Sequence, residues 1–416
     1  MRNLLCLVLL VPILALASGK AQPSTSPTDV VPVQGVMPRN LTPAQAALGG
    51  HAGTGVPARA LVGKIDTIGG STYDWWANGP IWRMIVNSPG HGVHVTWMYC
   101  TDLSGQTFPS RRMYYNFYEY SSHSWLWQGA DYMADDGIVV FPASIRTGYG
   151  AIGADSSGAA VISGHRVRSD GHFYPWVARD AGPGDGIFGY GDSTILGATF
   201  QWPPLAVGGT GLGRVHIVPD ESTYVLEYSH SSLSDSWPVF STPVTSFTPG
   251  PGGTTHNVAA SKVSNKVAVT WVVEGTVGSG IQPGYADFST DGGTTWGGPT
   301  VIDTPSGYSG ARSTFDITSI FPYYDRHDKF HIVADVLPCD STDTIHVIPA
   351  EIWHYCPDNT PNWSMISVVT TSTWPTGVSM GYNCAMACRP SIGEDSHGNL
   401  FVTWEQFDSL NYDATT

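Results

Sequence analysis

Short runs of alternating or wholly apolar residues, each preceded by a polar turn, recur along the chain from about residue 61 onwards. The segments "VNSPGHGVHVTW" (86–97), "SKVSNKVAVTW" (261–271) and "GEDSHGNLFVTW" (393–404) show the arrangement most clearly. Turn residues such as Asp, Ser, Asn and Gly between two strand-like runs are typical of a β-hairpin. The pattern therefore predicts many short antiparallel strands.

A second element alternates with the first and consists of a strand-like run, a polar turn and then a tryptophan. It ends at Trp127, Trp176, Trp237, Trp296 and Trp363. Two hairpins per unit give four antiparallel strands, and a repeat of this length is typical of a β-propeller. A pair of β-sandwiches is the alternative, but it gives no reason for the same hairpin to recur five times.

The repeat predicts an all-β propeller over residues 61–416, with six blades as the favoured number. Five units are complete, and a sixth opens at Arg389 with room for two or three strands. The ring closes if the run "ALVGKIDTI" (60–68) adds a strand to the last blade. Alternatively, the natural protein continues beyond Thr416 and the chain is truncated at its C-terminus.

The composition favours a neutral, turn-rich surface. Charged residues make up 13% of the chain, beside 48 Gly and 30 Pro, whereas soluble domains carry roughly 25% charged residues. The formal net charge is −15. Because such a surface repels nucleic acid and anionic membranes, we expect neither as a partner. A glycan or another extracellular polymer fits the composition better.

The first 21 residues resemble a secretory signal peptide. Arg2 precedes an apolar run from Leu4 to Ala17, and small residues allow cleavage after Ala17 or Ala21. The run is shorter than the about 20 residues needed to span a bilayer. We therefore expect a protein that is not embedded in the membrane and is secreted, periplasmic or on the cell surface. Residues 22–60, rich in Pro, Ser, Thr and Ala, are predicted to form a flexible leader.

Five cysteines remain once Cys6 leaves with the signal peptide. An odd number allows at most two internal disulfides. The expected pairs are Cys339 with Cys356, and Cys384 with Cys388. A zinc site is the weaker alternative, because no second close Cys/His pair accompanies "CAMAC".

The stretch "STDGGTTW" matches the Asp-box pattern Ser-x-Asp-x-Gly-x-Thr-Trp through Ser289, Asp291, Gly293 and Trp296. The chain therefore resembles the sialidase-like Asp-box (BNR-repeat) propellers over roughly residues 61–416. In that family the boxes are structural and lie at the blade periphery. We accordingly expect Asp291 to hold its own turn, and Trp296 to cover the hairpin.

The resemblance also implies an enzyme hypothesis, a sialidase-type glycoside hydrolase. Such enzymes hold a substrate carboxylate with three arginines, use a Tyr with a neighbouring Glu as nucleophile, and use an Asp as acid/base. Candidates for the arginine cluster, which we expect on the innermost strands, are Arg83, Arg312 and Arg389. Glu274 and Glu405 are candidate acidic partners because each follows a predicted second strand.

Several observations favour a binding protein over an enzyme. The Phe/Tyr-Arg-Ile-Pro motif of catalytic members is missing, and "WRMI" and "CRPS" are its nearest counterparts. No motif assigns a Tyr-Glu pair. The leading interpretation is a non-catalytic module that binds a glycan or another extracellular polymer, or a rigid platform of a surface protein; the alternative is an exo-acting sialidase-type hydrolase.

No cofactor or metal is required by any motif. The sequence contains no Gly-x-Ser-x-Gly, His-Glu-x-x-His or P-loop string. The motifs that usually indicate an esterase, a zinc protease or a nucleotide-binding enzyme are therefore missing. The turns "ADSSGA" and "DSHGN" offer oxygen ligands for a structural calcium without a complete ligand series. The tryptophans of "YDWWANGPIW" serve either as a sugar-stacking platform or, more in keeping with such clusters, as core.

Overall fold

The computed structural model describes most of the chain after residue 81. The described residues are 66, 68–73, 82–102, 108–129, 136–142, 144–167, 169–192, 200–221, 225–233, 240–241, 244–248, 256–273, 282–308, 310, 312–316, 320–342, 344–346, 348–370 and 385–406, together with the paired strands Pro32–Val33 (β1) and Leu61–Val62 (β2). The predicted signal peptide lies outside this part of the chain, as does the predicted leader apart from β1.

Five antiparallel sheets of four to six strands follow one another along the sequence, and a two-stranded sheet follows them. The first sheet contains β3 (Ile85–Ser88), β4 (Gly92–Tyr99), β5 (Arg112–Glu119), β6 (Ser124–Trp125) and β7 (Ile138–Val139). The second contains β8 (Thr147–Gly148), β9 (Ile152–Ala154), β10 (Ala160–Val167), β11 (Phe173–Asp180) and β12 (Phe188–Asp192).

The third sheet has an additional short pair of strands. Its strands are β13 (Phe200–Gln201), β14 (Leu205–Gly208), β15 (Arg214–Ile217), β16 (Asp220–Glu221), β17 (Leu226–Ser232) and β18 (Val244–Phe247). The additional pair is β13 with β16, and the turn between β14 and β15 contains a 3-10 helix, Thr210–Leu212. The fourth sheet contains β19 (His256–Ala260), β20 (Val267–Val272), β21 (Gly284–Ser289) and β22 (Thr300–Ile302).

The fifth sheet has an interrupted first strand, because β23 and β24 pair with successive parts of β25. It contains β23 (Ser313–Phe315), β24 (Phe321–Tyr324), β25 (Phe330–Pro338), β26 (Ala350–Tyr355) and β27 (Trp363–Val369). The sixth sheet consists of β28 (Ala387–Glu394) and β29 (Leu400–Gln406).

The sheets are arranged as the blades of a ring. The inner strand of each sheet contacts the inner strand of the next, in the order β3, β9, β14, β19, β24 and β28. The chain is therefore a β-propeller, as the repeat predicts. Within the described residues it has five full blades and the two-stranded beginning of a sixth. The proposed closing run contributes β2, which pairs with β1 rather than with the last sheet.

The second strand of a blade is buried on both sides, because neighbouring blades cover its two faces. All six residues of β20 are buried, as are eight of the nine residues of β25. Alternation with a polar face is lost in such strands, which read as nearly continuous apolar runs. Trp271 on β20 lies in such a layer between blades, with its ring centroid 5.6 Å from that of Phe247 in the third blade. Trp97 on β4 is also fully buried, beside Tyr114 of its own blade.

A recurring tight turn joins the first strand to the second in three blades. Its first residue is Asp155, Asp325 or Asp395, and the Oδ1 atom accepts the N–H groups of the second and fourth residues that follow, at 2.8–3.0 Å. Short Asx side chains stabilise turns in this way. These clamps fix the hairpin ends that face one another around the ring.

Hydrogen bonds connect the turns of successive blades. The pairs are Ser88 Oγ with Gly158 O (3.2 Å), Gly209 N with Ser261 O (2.9 Å), Ser264 Oγ with Asp328 Oδ1 (2.9 Å), and Arg326 Nη1 with Ser396 O (2.7 Å). Between the second and third blades, Arg179 pairs with Asp155 and donates to Leu233 O at 3.3 Å. One end of the ring is thus joined by polar contacts from blade to blade.

Two sequence expectations are corrected by the structure. Trp176 does not end the third hairpin of its blade, as the other tryptophan positions suggest; it lies within β11, in the hairpin of the second and third strands, and is fully buried. Cys356 has a free, buried thiol, so the Cys339–Cys356 disulfide is not formed. Cys384 lies outside the described residues, and its pairing with Cys388 stays a prediction.

Replacing Gly293 with alanine is expected to destabilise the fourth blade strongly. Gly293 has φ +85°, and an added Cβ would meet the Tyr228 Oη of the third blade. Left-handed backbone and overpacking together predict a loss of about 3 kcal/mol in the free energy of unfolding. Gly298→Ala is the matched control, because Gly298 has φ +97° with no atom near the added Cβ; it should cost about 1 kcal/mol. Urea unfolding measures both, and equal losses would contradict the packing explanation.

Candidate functional site

Two consecutive side chains of the first blade extend across the propeller axis. Trp82 is 3% exposed, and its Nε1–H donates to the carbonyl of His256 in the fourth blade at 3.1 Å. The Arg83 guanidinium lies 5.7 Å from the ring centroid of Tyr323 and 5.9 Å from that of Phe321, both in the fifth blade. Because these residues immediately precede β3, the axial site is built from the start of the first blade.

A tyrosine and a glutamate meet beside Arg83. Tyr323 is the third residue of β24, and its Oη donates to Glu394 Oε2 at 3.2 Å. Glu394, the last residue of β28, also accepts the backbone N–H of Arg326 at 3.0 Å. Burial raises the pKa of Tyr323 to about 12, and Glu394 adds to that rise while Arg83 opposes it. Tyr323 is therefore a neutral hydroxyl at physiological pH.

Lys262 adds a second positive charge near the axis. It lies in the turn after β19 and lines the axial cavity, while part of its side chain is exposed to water. Partial desolvation is the largest cause that lowers the pKa of Lys262 to about 8; the charge of Arg83 lowers this pKa further and Glu394 raises it. Burial also lowers the pKa of Arg83. Arg326 Nε also lies 3.6 Å from Glu394 Oε1, so three cations surround one carboxylate.

The space left at the axis is small. A cavity of about 20 Å³ is lined by Arg83, Asn257, Lys262 and Tyr323, among others. A void of this size holds about one water molecule. The Asn257 Nδ2 atom on its wall is buried without a hydrogen-bond partner among the described residues, and a water in the cavity would satisfy it. The chemistry available here is the binding of a small polar group.

The sequence-predicted residues are only partly brought together. Arg83 reaches the axis. Arg389, on β28, forms a salt bridge from Nη1 to Glu405 Oε2 on β29 at 2.8 Å, so these two candidates pair with each other. Arg312 is exposed, immediately before β23. Glu274 lies outside the described residues.

The turn that begins at Ser289 is held by its own side chains. Asp291 Oδ1 accepts the N–H groups of Thr294 and Thr295 at 3.0 and 2.9 Å, and Oδ2 accepts the Thr295 hydroxyl at 2.7 Å. Ser289 Oγ donates to Asp291 Oδ1 and accepts the N–H of Gly293, both at 2.8 Å. These hydrogen bonds hold the pKa of Asp291 well below its usual value. Every polar contact of this aspartate lies within its turn.

The same turn also packs on the neighbouring blade. The Trp296 ring makes edge-to-face contacts with Tyr228 and Phe247 of the third blade, at centroid distances of 4.8 and 5.1 Å. Aromatic pairs favour this geometry. The turn therefore fastens two blades at a distance from the axial residues.

Sequence reasoning missed Tyr323, Glu394 and Lys262. The available signal was their position, because each lies within two residues of the beginning of a polar turn between first and second strands. Aligning "YYDRHDKF" with "GEDSHGNL" through Asp325 and Asp395 places Tyr323 and Glu394 at the ends of adjacent inner strands. The alignment does not show which way the side chains point.

Metal-binding chemistry finds little support in the described residues. No group of three or more His, Cys, Asp or Glu side chains comes together there. In the candidate calcium turns, Asp155 is engaged by its own turn and by Arg179, and Asp395 by its own turn. No helix within the described part of the chain has the length and apolarity needed to cross a membrane.

Comparison with known proteins finds no matching family and no matching curated sequence. Among solved structures, a variant of the NanB sialidase from Streptococcus pneumoniae aligns at 10% identity over 84% of this chain and 68% of the sialidase, with a TM-score of 0.49. An ulvan lyase of a polysaccharide lyase family aligns at 12% identity over 69% of this chain and 71% of the lyase, with a TM-score of 0.41. The Aleuria aurantia lectin aligns at 16% identity over 71% of this chain and 80% of the lectin, with a TM-score of 0.37.

Lys262 should react with acetic anhydride at pH 8 several times faster than Lys329, which is exposed on the neighbouring turn. A pKa of about 8 leaves about half of the Lys262 amine neutral and nucleophilic at that pH. Arg83→Leu removes a like charge, raises the pKa of Lys262 and slows labelling. Glu394→Gln removes an opposite charge, lowers that pKa and accelerates labelling. Peptide mass spectrometry reads each site, and equal rates for both lysines in all three proteins would contradict the assignment.

Proposed function

We propose that the protein is an exported, sialidase-like Asp-box propeller that binds a glycan or another extracellular polymer without catalysis, alone or as the platform of a surface protein. Export is supported by the signal-like segment of residues 1–21. The choice of a polymer partner rests on the sparse charge of the chain and on its resemblance to Asp-box propellers. The acidic net charge argues against nucleic acid as the partner.

The filled axis is the observation that carries the non-catalytic proposal. Trp82 and Arg83 occupy the region where a sialidase would receive its substrate, and the remaining cavity measures about 20 Å³. Pockets that enclose small ligands measure about 300 Å³ or more. Within the part of the chain that the structure describes, this cavity therefore does not admit a sugar ring unless the surrounding side chains move.

The arginines add to this argument. A carboxylate clamp needs guanidinium groups that converge on one point. Arg389 is instead paired with Glu405, and the Arg83 guanidinium rests against two aromatic rings. Losing both from the clamp would leave a substrate carboxylate poorly held.

The turn from Ser289 to Trp296 supports membership of the Asp-box group. Its aspartate is committed to local hydrogen bonds, and its tryptophan to the next blade. Both features agree with a structural role at the periphery. The box thus explains blade cohesion and contributes no catalytic group.

A sialidase-type hydrolase is the second candidate, and one observation favours it. Tyr323 donates a hydrogen bond to Glu394 beside Arg83, which is the combination of nucleophile, base and cation that such an enzyme uses. A neutral tyrosine can attack next to an anionic sugar without charge repulsion. Its raised pKa requires Glu394 to take the proton during attack.

The purified chain is expected to show no turnover of a fluorogenic sialoside above the uncatalysed blank. Turnover that is lost in Tyr323→Phe and kept in Tyr324→Phe would overturn the non-catalytic proposal and establish the hydrolase. The two tyrosines are adjacent and both buried, but Tyr324 packs towards Phe330 rather than Glu394. This makes Tyr324→Phe a control for the loss of one buried hydroxyl.

The binding function is tested directly on a glycan array with the labelled mature chain. Selective retention on a subset of glycans is expected, and Tyr323→Phe should leave it unchanged because the axial hydroxyl is not part of the binding surface. A folded chain that is retained by no glycan on the array would refute the glycan-binding proposal.

A further inference from the structure

An open groove lies between the first and second blades, away from the axial cavity. It measures about 620 Å³, and its walls include Pro109, Ile145, Arg146, Arg166 and Ser169. This volume falls within the range of about 300–1,000 Å³ that ligand-binding pockets occupy. The groove is thus the larger of the two spaces, and two of its wall residues are arginines.

A third arginine lies behind this groove in the protein interior. Arg111 is 3% exposed; its Nε donates to Thr147 O at 3.2 Å, and its guanidinium carbon lies 4.6 Å from the ring centroid of Tyr149 and 5.3 Å from that of Tyr73. Buried charges are normally paired with an opposite charge. Among the described residues, no carboxylate forms a salt bridge with Arg111 or Arg146.

The histidine next to Arg111 does not balance its charge. The backbone N–H of Trp202 donates to His165 Nδ1 at 3.2 Å, so the neutral ring carries its proton on Nε2, the atom 3.4 Å from Arg111 Nη2. Burial, and then the charges of Arg111 and Arg146, hold the pKa of His165 well below its ordinary value. The ring is therefore neutral and cannot accept a hydrogen bond from Arg111.

Arg146 is the cation that this arrangement presents to the groove. Its Nε donates to Phe108 O at 3.1 Å, which leaves the terminal nitrogens of the guanidinium for another acceptor. Burial lowers the pKa of Arg146, and the neighbouring Arg111 lowers it further. Both effects favour an anion beside it. On the opposite wall, Arg166 lies 5.7 Å from the ring centroid of Phe141.

The positive charge at this place comes from Arg111 and Arg146. The nearby carboxylate of Asp102 accepts the N–H of Ser110 at 2.8 Å. In a chain of net charge −15, Arg111 and Arg146 therefore form a local positive site, and Arg166 also lines the groove.

We propose that the groove between the first and second blades binds an anionic group of an acidic polysaccharide, a carboxylate or a sulfate ester, through Arg146 and Arg166. The inference rests on the proposed polymer-binding function and names its site and ligand chemistry. A guanidinium donates two parallel hydrogen bonds to either group, whereas a neutral sugar offers no such acceptor pair.

The test measures binding of the purified full chain to polygalacturonate, dextran sulfate and neutral dextran, by biolayer interferometry in 50 mM and 300 mM NaCl. We expect binding to at least one acidic polymer, weaker binding at the higher salt concentration, and none to dextran. The polymer that binds distinguishes a carboxylate from a sulfate.

Two substitutions in the groove, Arg146→Gln and Arg166→Gln, should each weaken binding about tenfold or more, since each removes charge-assisted hydrogen bonds. Arg146→Lys keeps the positive charge but loses the two parallel N–H donors of the guanidinium, so it should give an intermediate affinity. Lys329→Gln removes one exposed positive charge from the fifth blade and should bind like the parent. Thermal unfolding checks that every variant is folded.

The inference is overturned if neither acidic polymer binds, if folded Arg146→Gln and Arg166→Gln variants both bind like the parent, or if Lys329→Gln weakens binding equally. The last result would indicate attraction by overall charge alone. Selective array binding to neutral glycans together with failure on both acidic polymers would remove this site while leaving the proposed function intact. Failure on the array and on both polymers would remove both.

Discussion

Face-to-face packing of neighbouring blades is the interaction on which this molecule depends. A four-stranded sheet has two apolar faces and cannot bury both by itself, so each blade requires a neighbour on either side. The second strands show this most clearly, because all six residues of β20 are buried and its Trp271 packs on Phe247 of the third blade. The polar turns at one end of the ring then fix how far each blade can slide along the next.

Blade packing also determines what the axis can do. The inner strands approach one another at the axis, and Trp82 and Arg83 of the first blade fill the space between them. These side chains strengthen the contacts between blades and leave little space for a central pocket. A larger space lies at the edges of the first two blades, in the groove lined by Arg146 and Arg166. Blade packing and the proposed ligand binding therefore use different regions of the ring.

The sequence was sufficient to predict the propeller, because hairpin turns and tryptophans report local structure that repeats with every blade. Position within a blade was harder to predict. Trp176 follows a polar turn as the other tryptophans do, yet it belongs to an earlier hairpin, since turn chemistry does not show which two strands it joins. The expected Cys339–Cys356 bridge failed for a similar reason: proximity depends on how strands pair, which cysteine spacing does not encode.

The axial residues illustrate the same limit at longer range. The distance of Arg83 from Trp97 predicts a place on the inner strand of its blade, and the structure places it just before that strand. Its contact with Tyr323, and the meeting of Tyr323 with Glu394, depend on the angle between blades and on the direction of each side chain. No repeating pattern in the sequence predicts the angle between blades or the direction of a side chain. The arginines of the peripheral groove come from separate strands and loops, and they converge only once two blades are packed together.

The contact of Arg83 with the rings of Phe321 and Tyr323 has a consequence for the order of events during synthesis. The first blade is synthesised long before the fifth. The Arg83 side chain therefore stays in water until most of the propeller has been made. Contacts between residues so distant in sequence form slowly and late. Until then, the apolar faces of the early blades stay exposed to association with other chains. The net charge of −15 opposes such association, because incomplete chains that carry the same charge repel one another.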